Sequence, residues 1–149
     1  MKTNQRGINN YQTVIPWLYL ALGLTQAAHS VEEVLTGLWK NLPAVTGQIH
    51  AWLPFVPVLQ WSAEGFAAAN LVIVALLLAI SPFVFLKRSW ALWIVRIAAV
   101  IEVLNGLIHI IPAIVRGGYW SGAISAVFLL GIGLLLLIKM GGAHGPQNL

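Results

Sequence analysis

The chain has 149 residues, of which 59% are hydrophobic and only 8% charged, and its mean hydropathy is +0.85. Soluble domains average roughly 25% charged residues, so this composition excludes an ordinary soluble fold and predicts an integral membrane protein. The net charge of +4 comes from Lys and Arg scattered along the chain, which excludes a basic nucleic-acid stripe, and the absence of cysteine excludes disulfides and thiolate chemistry.

Runs of about 20 apolar residues mark four spans. The first covers about Val14–Trp39. A basic start at Lys2 and Arg6 followed by Thr25-Gln26-Ala27 would also suit a secretory signal peptide. The apolar pattern continues through Val31, Val34, Leu35, Leu38 and Trp39, however, which favours a retained span. The segment 40–63 contains Pro43, Pro54 and Pro57, too close together for a spanning helix, together with Trp52, Trp61, Ile49, Leu53, Phe55 and Val58. Tryptophan favours the headgroup level, so this stretch reads as an interfacial or re-entrant cover between helices 1 and 2, with His50 an exposed histidine on it.

The second span, about 64–86, opens with Ser62 as N-cap and Glu64 in its first turn, where an acid suits the helix dipole. The third covers about 89–115, with Arg96 placed to snorkel to the nearer interface. Gly117-Gly118 turns the chain into the fourth span, about 119–140, in which Gly122, Ala126, Gly131 and Gly133 read as close-packing positions. The short connections after spans two and three force antiparallel neighbours. The expected fold is therefore all-α, an integral membrane four-helix bundle forming one domain over 1–140, with a flexible tail over 141–149. Lys2, Arg6, Lys87, Arg88 and Lys139 fall on one side of this topology and Lys40 and Arg116 on the other, which places both termini in the cytoplasm.

Three of the chain's four acidic residues, Glu32, Glu33 and Glu102, lie inside these spans, and the fourth, Glu64, stands at the start of one. An ionisable group near the bilayer centre costs roughly 2.5–3.5 kcal/mol on insertion scales, so mutual pairing, a shared proton or a bound cation is needed to offset it. His29, Glu32 and Glu33 stand at i, i+3 and i+4 on one face of span one; Glu102, Asn105 and His109 stand at i, i+3 and i+7 on one face of span three. At 1.5 Å per residue, His29 and Glu102 lie about 13–14 residues from the cytoplasmic ends of their spans, and Glu33 and His109 each about 20. Both spans cross in the same direction, so the stripes share a level from the midplane into the outer half. Gln26 precedes His29 by three and has the spacing to donate to it, whereas nothing in its spacing requires Asn70 to join.

Imidazoles, carboxylates and a carboxamide are the N and O donors of zinc, iron or manganese sites, and an asparagine can orient a water or a histidine. His29, Glu32, Glu33 and His109 are the candidate metal ligands, and Glu32, Glu33, Glu102 and Asn105 the candidate catalytic groups. His29-Ser30-Val31-Glu32-Glu33, with Asn105 and His109 and the following Gly118-Tyr119 and Gly122, resembles the HXXEE domain family of small multi-span membrane proteins. The resemblance covers most of the chain. It implies His29, Glu32, Glu33, Asn105 and His109 as site residues and an enzyme-like pairing of His with Glu, and it supplies no substrate; Glu102 and Glu64 rest on the residues alone.

The primary expectation is a membrane-embedded enzyme that uses a divalent metal to hydrolyse an apolar or lipid-like substrate, the spare glutamate serving as general base. A metal-free alternative uses a protonated glutamate as acid for isoprenoid cyclisation or isomerisation. A proton-coupled transporter, made less suitable by four spans without a repeat unless a homodimer forms, and a lipid-binding membrane subunit complete the set. Expected partners are membrane lipids and a small apolar substrate, with no nucleic acid.

Overall fold

The computed structural model describes residues 3–141, with side chains from residue 13 onward. Among these residues the structure is all-helical. It has α1 (Thr3–Thr36), a 3-10 turn (Leu38–Lys40), α2 (Leu42–Trp52), α3 (Ala63–Phe85), α4 (Ser89–Arg116) and α5 (Ala123–Gly141). Three helices, α3, α4 and α5, are long and apolar enough to cross a membrane. Only 22%, 28% and 28% of their most apolar windows are buried inside the protein, so the outward Leu, Ile and Phe side chains require an apolar solvent. The protein is an integral membrane protein.

Several boundaries differ from those the apolar runs suggest. The first helix stops at Thr36, not Trp39, because Gly37 takes φ 73° and breaks the helical ladder, leaving Trp39 in the 3-10 turn. The last helix begins at Ala123, not residue 119, since Gly122 takes φ 81°. Pro43 sits at the start of α2, where its missing N–H costs nothing, so 42–52 is an eleven-residue helix in a stretch otherwise punctuated by proline. Trp52 at its end and Phe55 just beyond it are more than 80% exposed. Ser62 caps α3 as expected, accepting from Gly65 N–H at 3.0 Å. Of the tail expected to be flexible, residues 142–149 lie outside the described residues.

α1 packs against α3 on one face and α5 on another, and α5 packs most extensively on α4. Ile15, Tyr19 and Leu22 of α1 recur at helical spacing and meet Val84, Ala91, Val95, Ala99, Leu129 and Leu136 in one apolar core. That core occupies one end of the assembly; the polar residues of α1 and α4 lie beyond it, towards the α4–α5 turn. The α4–α5 contact is close because a side chain is missing at two crossings. A Cβ at Gly106 would lie 2.9 Å from Leu130 Cβ and 3.0 Å from the Ala126 carbonyl, and one at Gly133 2.9 Å from Val103 Cγ2. Gly131, in contrast to its expected packing role, faces open space. Gly106→Ala should therefore cost about 1–3 kcal/mol through overpacking. Thermal unfolding in detergent checks this, and an unshifted Tm would contradict it.

Candidate functional site

The helical repeat fixes the starting positions. α1 sets His29 and Glu33 one turn apart on the same face, and α4 carries His109 two turns beyond Glu102. α4 then ends at Gly117, whose φ of 64° lets its N–H and that of Gly118 satisfy the last carbonyls. The chain reverses through Tyr119–Gly122 and enters α5 beside the two histidines.

Glu33 is the meeting point. Its Oε1 lies 3.2 Å from His29 Nε2 and 3.1 Å from His109 Nε2, and the imidazoles stand edge-to-face with centroids 4.6 Å apart. All three side chains are buried, and His29 is inaccessible. His109 Nδ1 donates to the Ser121 carbonyl at 2.5 Å, so a neutral His109 carries its lone pair on Nε2, directed at Glu33. His29 Nδ1 lies 2.8 Å from Ser125 Oγ. His29 Nε2 is close to Glu33 but lacks hydrogen-bond geometry to it, leaving a buried nitrogen with no hydrogen-bond partner among the described residues.

These three donor atoms lie within 4.8 Å of one another. Two atoms each about 2.1 Å from one ion at tetrahedral angles stand roughly 3.4 Å apart, close to the observed separations. Two imidazoles and a carboxylate form the donor set of several catalytic metal centres, and an Nδ1–H bonded to a backbone carbonyl is the usual support for an Nε2 ligand. The set therefore has the chemistry and spacing to hold a divalent cation.

The other candidates separate around this group. Glu102 is buried and accepts from Asn105 Nδ2 at 3.2 Å, but is not one of the three clustered donors. Glu32, one residue from Glu33 and so about 100° around the helix, turns away from the triad to the start of α5. Its Oε1 accepts from Tyr119 Oη at 2.7 Å and Ile124 N–H at 3.2 Å; its Oε2 accepts from Ser125 N–H at 2.9 Å and from the Ser125 hydroxyl. Glu32 is thus an N-cap supplied from another helix, and the expectation that it joins the metal ligands gives way to this geometry. Partial burial and the adjacent Glu32 carboxylate raise the Tyr119 phenol above its ordinary range, so Tyr119 remains a donor.

Gln26 donates not to His29 but to Ser30 at 3.3 Å. Ser30 donates to Asn70 Oδ1 at 2.9 Å, so these three make a separate α1–α3 link. Arg96 lies over Trp93 and reaches the Met140 carbonyl, His50 is exposed with Nδ1 2.7 Å from the Val56 carbonyl, and Glu64 is exposed at its helix start. None of them reaches the triad.

Ser121 and Ser125 lie against the triad and were not singled out in the sequence, whereas Gly122 entered there as a close-packing position and, with Tyr119, through the family resemblance. Gly122 packs no helix: a Cβ there would fall 2.7 Å from His109 Nδ1 and 2.8 Å from His29 Cε1. Ser121 and Ser125 touch the outer nitrogens of the two imidazoles, and the Ser121 hydroxyl is hydrogen-bonded to Thr36 at the end of α1. For Ser121 and Ser125 the available signal was the dense group of small polar residues and glycines immediately after the His109 helix.

Residues 17–136 match the model of a family described as proteins of unknown function with an HXXEE motif. No curated protein and no solved structure matches the chain. The match takes in α3, α4, the α4–α5 turn and the triad, and the chain belongs to this family.

Proposed function

We propose that this member of the HXXEE family is a membrane-embedded, metal-dependent enzyme, most simply a hydrolase, acting on an apolar or lipid-like substrate. The observation that carries this reading is the convergence of His29 Nε2, His109 Nε2 and Glu33 Oε1, with both Nδ1 atoms already engaged. With Nδ1–H on each ring, neutral imidazoles would aim two lone pairs and a carboxylate oxygen at one another, an arrangement that a bound cation or a shared proton would relieve.

When bound, a zinc, iron or manganese ion would polarise a substrate oxygen or lower the pKa of a water. Glu102 is the general base of this proposal: it is buried on the same helix as His109, two turns away, without belonging to the triad, and Asn105 holds one of its oxygens. In this reading Glu33 carries a ligand oxygen, while Glu32 fastens α5. An apolar substrate follows from the outward surfaces of α3–α5, which present hydrocarbon side chains to whatever approaches through the bilayer.

The topology belonging to this reading makes α1 a fourth span alongside α3–α5, giving a four-helix membrane bundle with α2 and the stretch after it, which holds Pro54, Pro57 and Trp61, at the outer interface. Lys87, Arg88 and Lys139 then face the cytoplasm with both termini.

Elemental analysis of protein purified without chelator tests the function. One metal ion per chain is expected in the wild type and close to none in His29→Ala and His109→Ala, with helical content retained in all three. Metal-free wild-type protein would overturn the metal reading and transfer the role of Glu102 to acid catalysis.

A further inference from the structure

Glu32 and Ser125 stand on the far side of His29 from the triad and form a chain, Glu32 Oε2 to Ser125 Oγ to His29 Nδ1. A serine hydroxyl has one proton to give. Three acceptors compete for it: the Glu32 carboxylate, His29 Nδ1 at 2.8 Å, and the Gly122 carbonyl at 3.4 Å. Glu32 is the carboxylate among them, and a hydroxyl-to-carboxylate bond is roughly twice as strong as a neutral pair. It is also held in place independently by Tyr119 and by the Ile124 and Ser125 amides. The hydroxyl proton therefore goes to Glu32, the Ser125 oxygen is left to accept, and His29 Nδ1 must carry hydrogen. The only lone pair of neutral His29 is then on Nε2, the buried nitrogen that lacks a partner.

We infer that Glu32, acting through Ser125, is a positioning residue that locks His29 in the Nδ1–H tautomer and so directs the Nε2 lone pair into the triad. This deepens the metal-site reading and rests on it for its purpose, although the tautomer itself needs no metal. His109 reaches the same state by a different device, the Ser121 backbone carbonyl, which no side-chain substitution removes. The two imidazoles are thus set by unlike partners, one fixed by the fold and one by a side-chain relay. The opposite proton order would put Ser125 O–H on His29 Nδ1 and N–H on Nε2 facing Glu33, a serine–histidine–glutamate chain whose His29 could not be a ligand.

Histidine 15N NMR on metal-free protein in detergent distinguishes the two. The wild type is expected to show Nδ1–H for both His29 and His109; Nε2–H on His29 would overturn the inference. In Ser125→Ala, His29 should lose its single tautomer while His109 keeps it. Zn2+ affinity should weaken about 10–100-fold, the usual effect of losing such a partner, and Ser125→Thr, which keeps the hydroxyl, should restore both. Tyr119→Phe takes one hydrogen bond from Glu32 but leaves the relay, so it should lower stability with tautomer and Zn2+ affinity unchanged. If Tyr119→Phe disturbs His29 as much as Ser125→Ala does, the chain is merely structural and the inference fails. Wild-type protein that shows the Nδ1–H tautomer but binds no Zn2+ would sink the metal reading alone, leaving the relay intact.

Discussion

Gly122→Ala should abolish metal binding and destabilise the protein by about 2–5 kcal/mol, combining the cost of a left-handed backbone with that of overpacking. The added methyl would sit 2.7 Å from one imidazole and 2.8 Å from the other, at φ 81°. Neither ring can retreat easily. His109 is tied to the Ser121 carbonyl and Glu33, and His29 is held between Ser125 and Glu33. Relief must come from the turn itself, which leads directly into the α5 amides that Glu32 caps. Denaturation in detergent and metal content, measured together, check this. A variant of normal stability that keeps its metal would show that the turn is free to shift and that the close approach matters little.

Adjacent glutamates should fail in opposite ways. Glu33→Gln preserves side-chain shape and disturbs only the two imidazoles, the sole polar partners that Glu33 has among the described residues. It should empty the metal site, to less than about a tenth of an ion per chain given the loss of one of three ligands, while the fold persists. Glu32→Ala leaves the α5 N-terminus, Tyr119 and Ser125 without their acceptor. A lost cap costs about 0.5–2 kcal/mol and a hydrogen bond to a charged group about 1.5–3, so a total near 2–4 kcal/mol is expected, after allowing for the partial exposure of Glu32. The paired readouts, metal per chain and unfolding midpoint, should separate the two variants cleanly. If Glu33→Gln retains metal, or if Glu32→Ala unfolds no earlier than wild type, the division of labour between them is wrong.

The polar stripes were legible because a helix has a fixed period: residues four apart must share a face, so His29 with Glu33 needed no structure. Their common level with His109 followed from counting residues along spans that cross in the same direction. Glu32 illustrates the limit. Three residues from His29 it also counts as the same face, yet a helix face is broad, and what lies opposite its edge is another chain segment whose position the period does not contain. The Tyr119–Ser125 stretch was opaque for a related reason. Turns carry no repeat, so Gly122 was indistinguishable from a helix-packing glycine until its φ was known. Ser121 and Ser125 act through a carbonyl and a shared proton, properties that residue type does not disclose.

The distance along the chain between Glu32 and Ser125, 93 residues, has a bearing on biosynthesis. α1 emerges from the ribosome early, carrying Glu32 and His29 towards the membrane, whereas Tyr119, Ile124 and Ser125, which bond to them, arrive with the last turn and helix. Domains fold as their chain becomes available, N-terminal parts first. Until α5 is made, Glu32 has no amides to cap and His29 has no serine. A chain ending before residue 119 therefore leaves the Glu32 carboxylate without any of these partners. Closure of the α4–α5 turn is the event that supplies them.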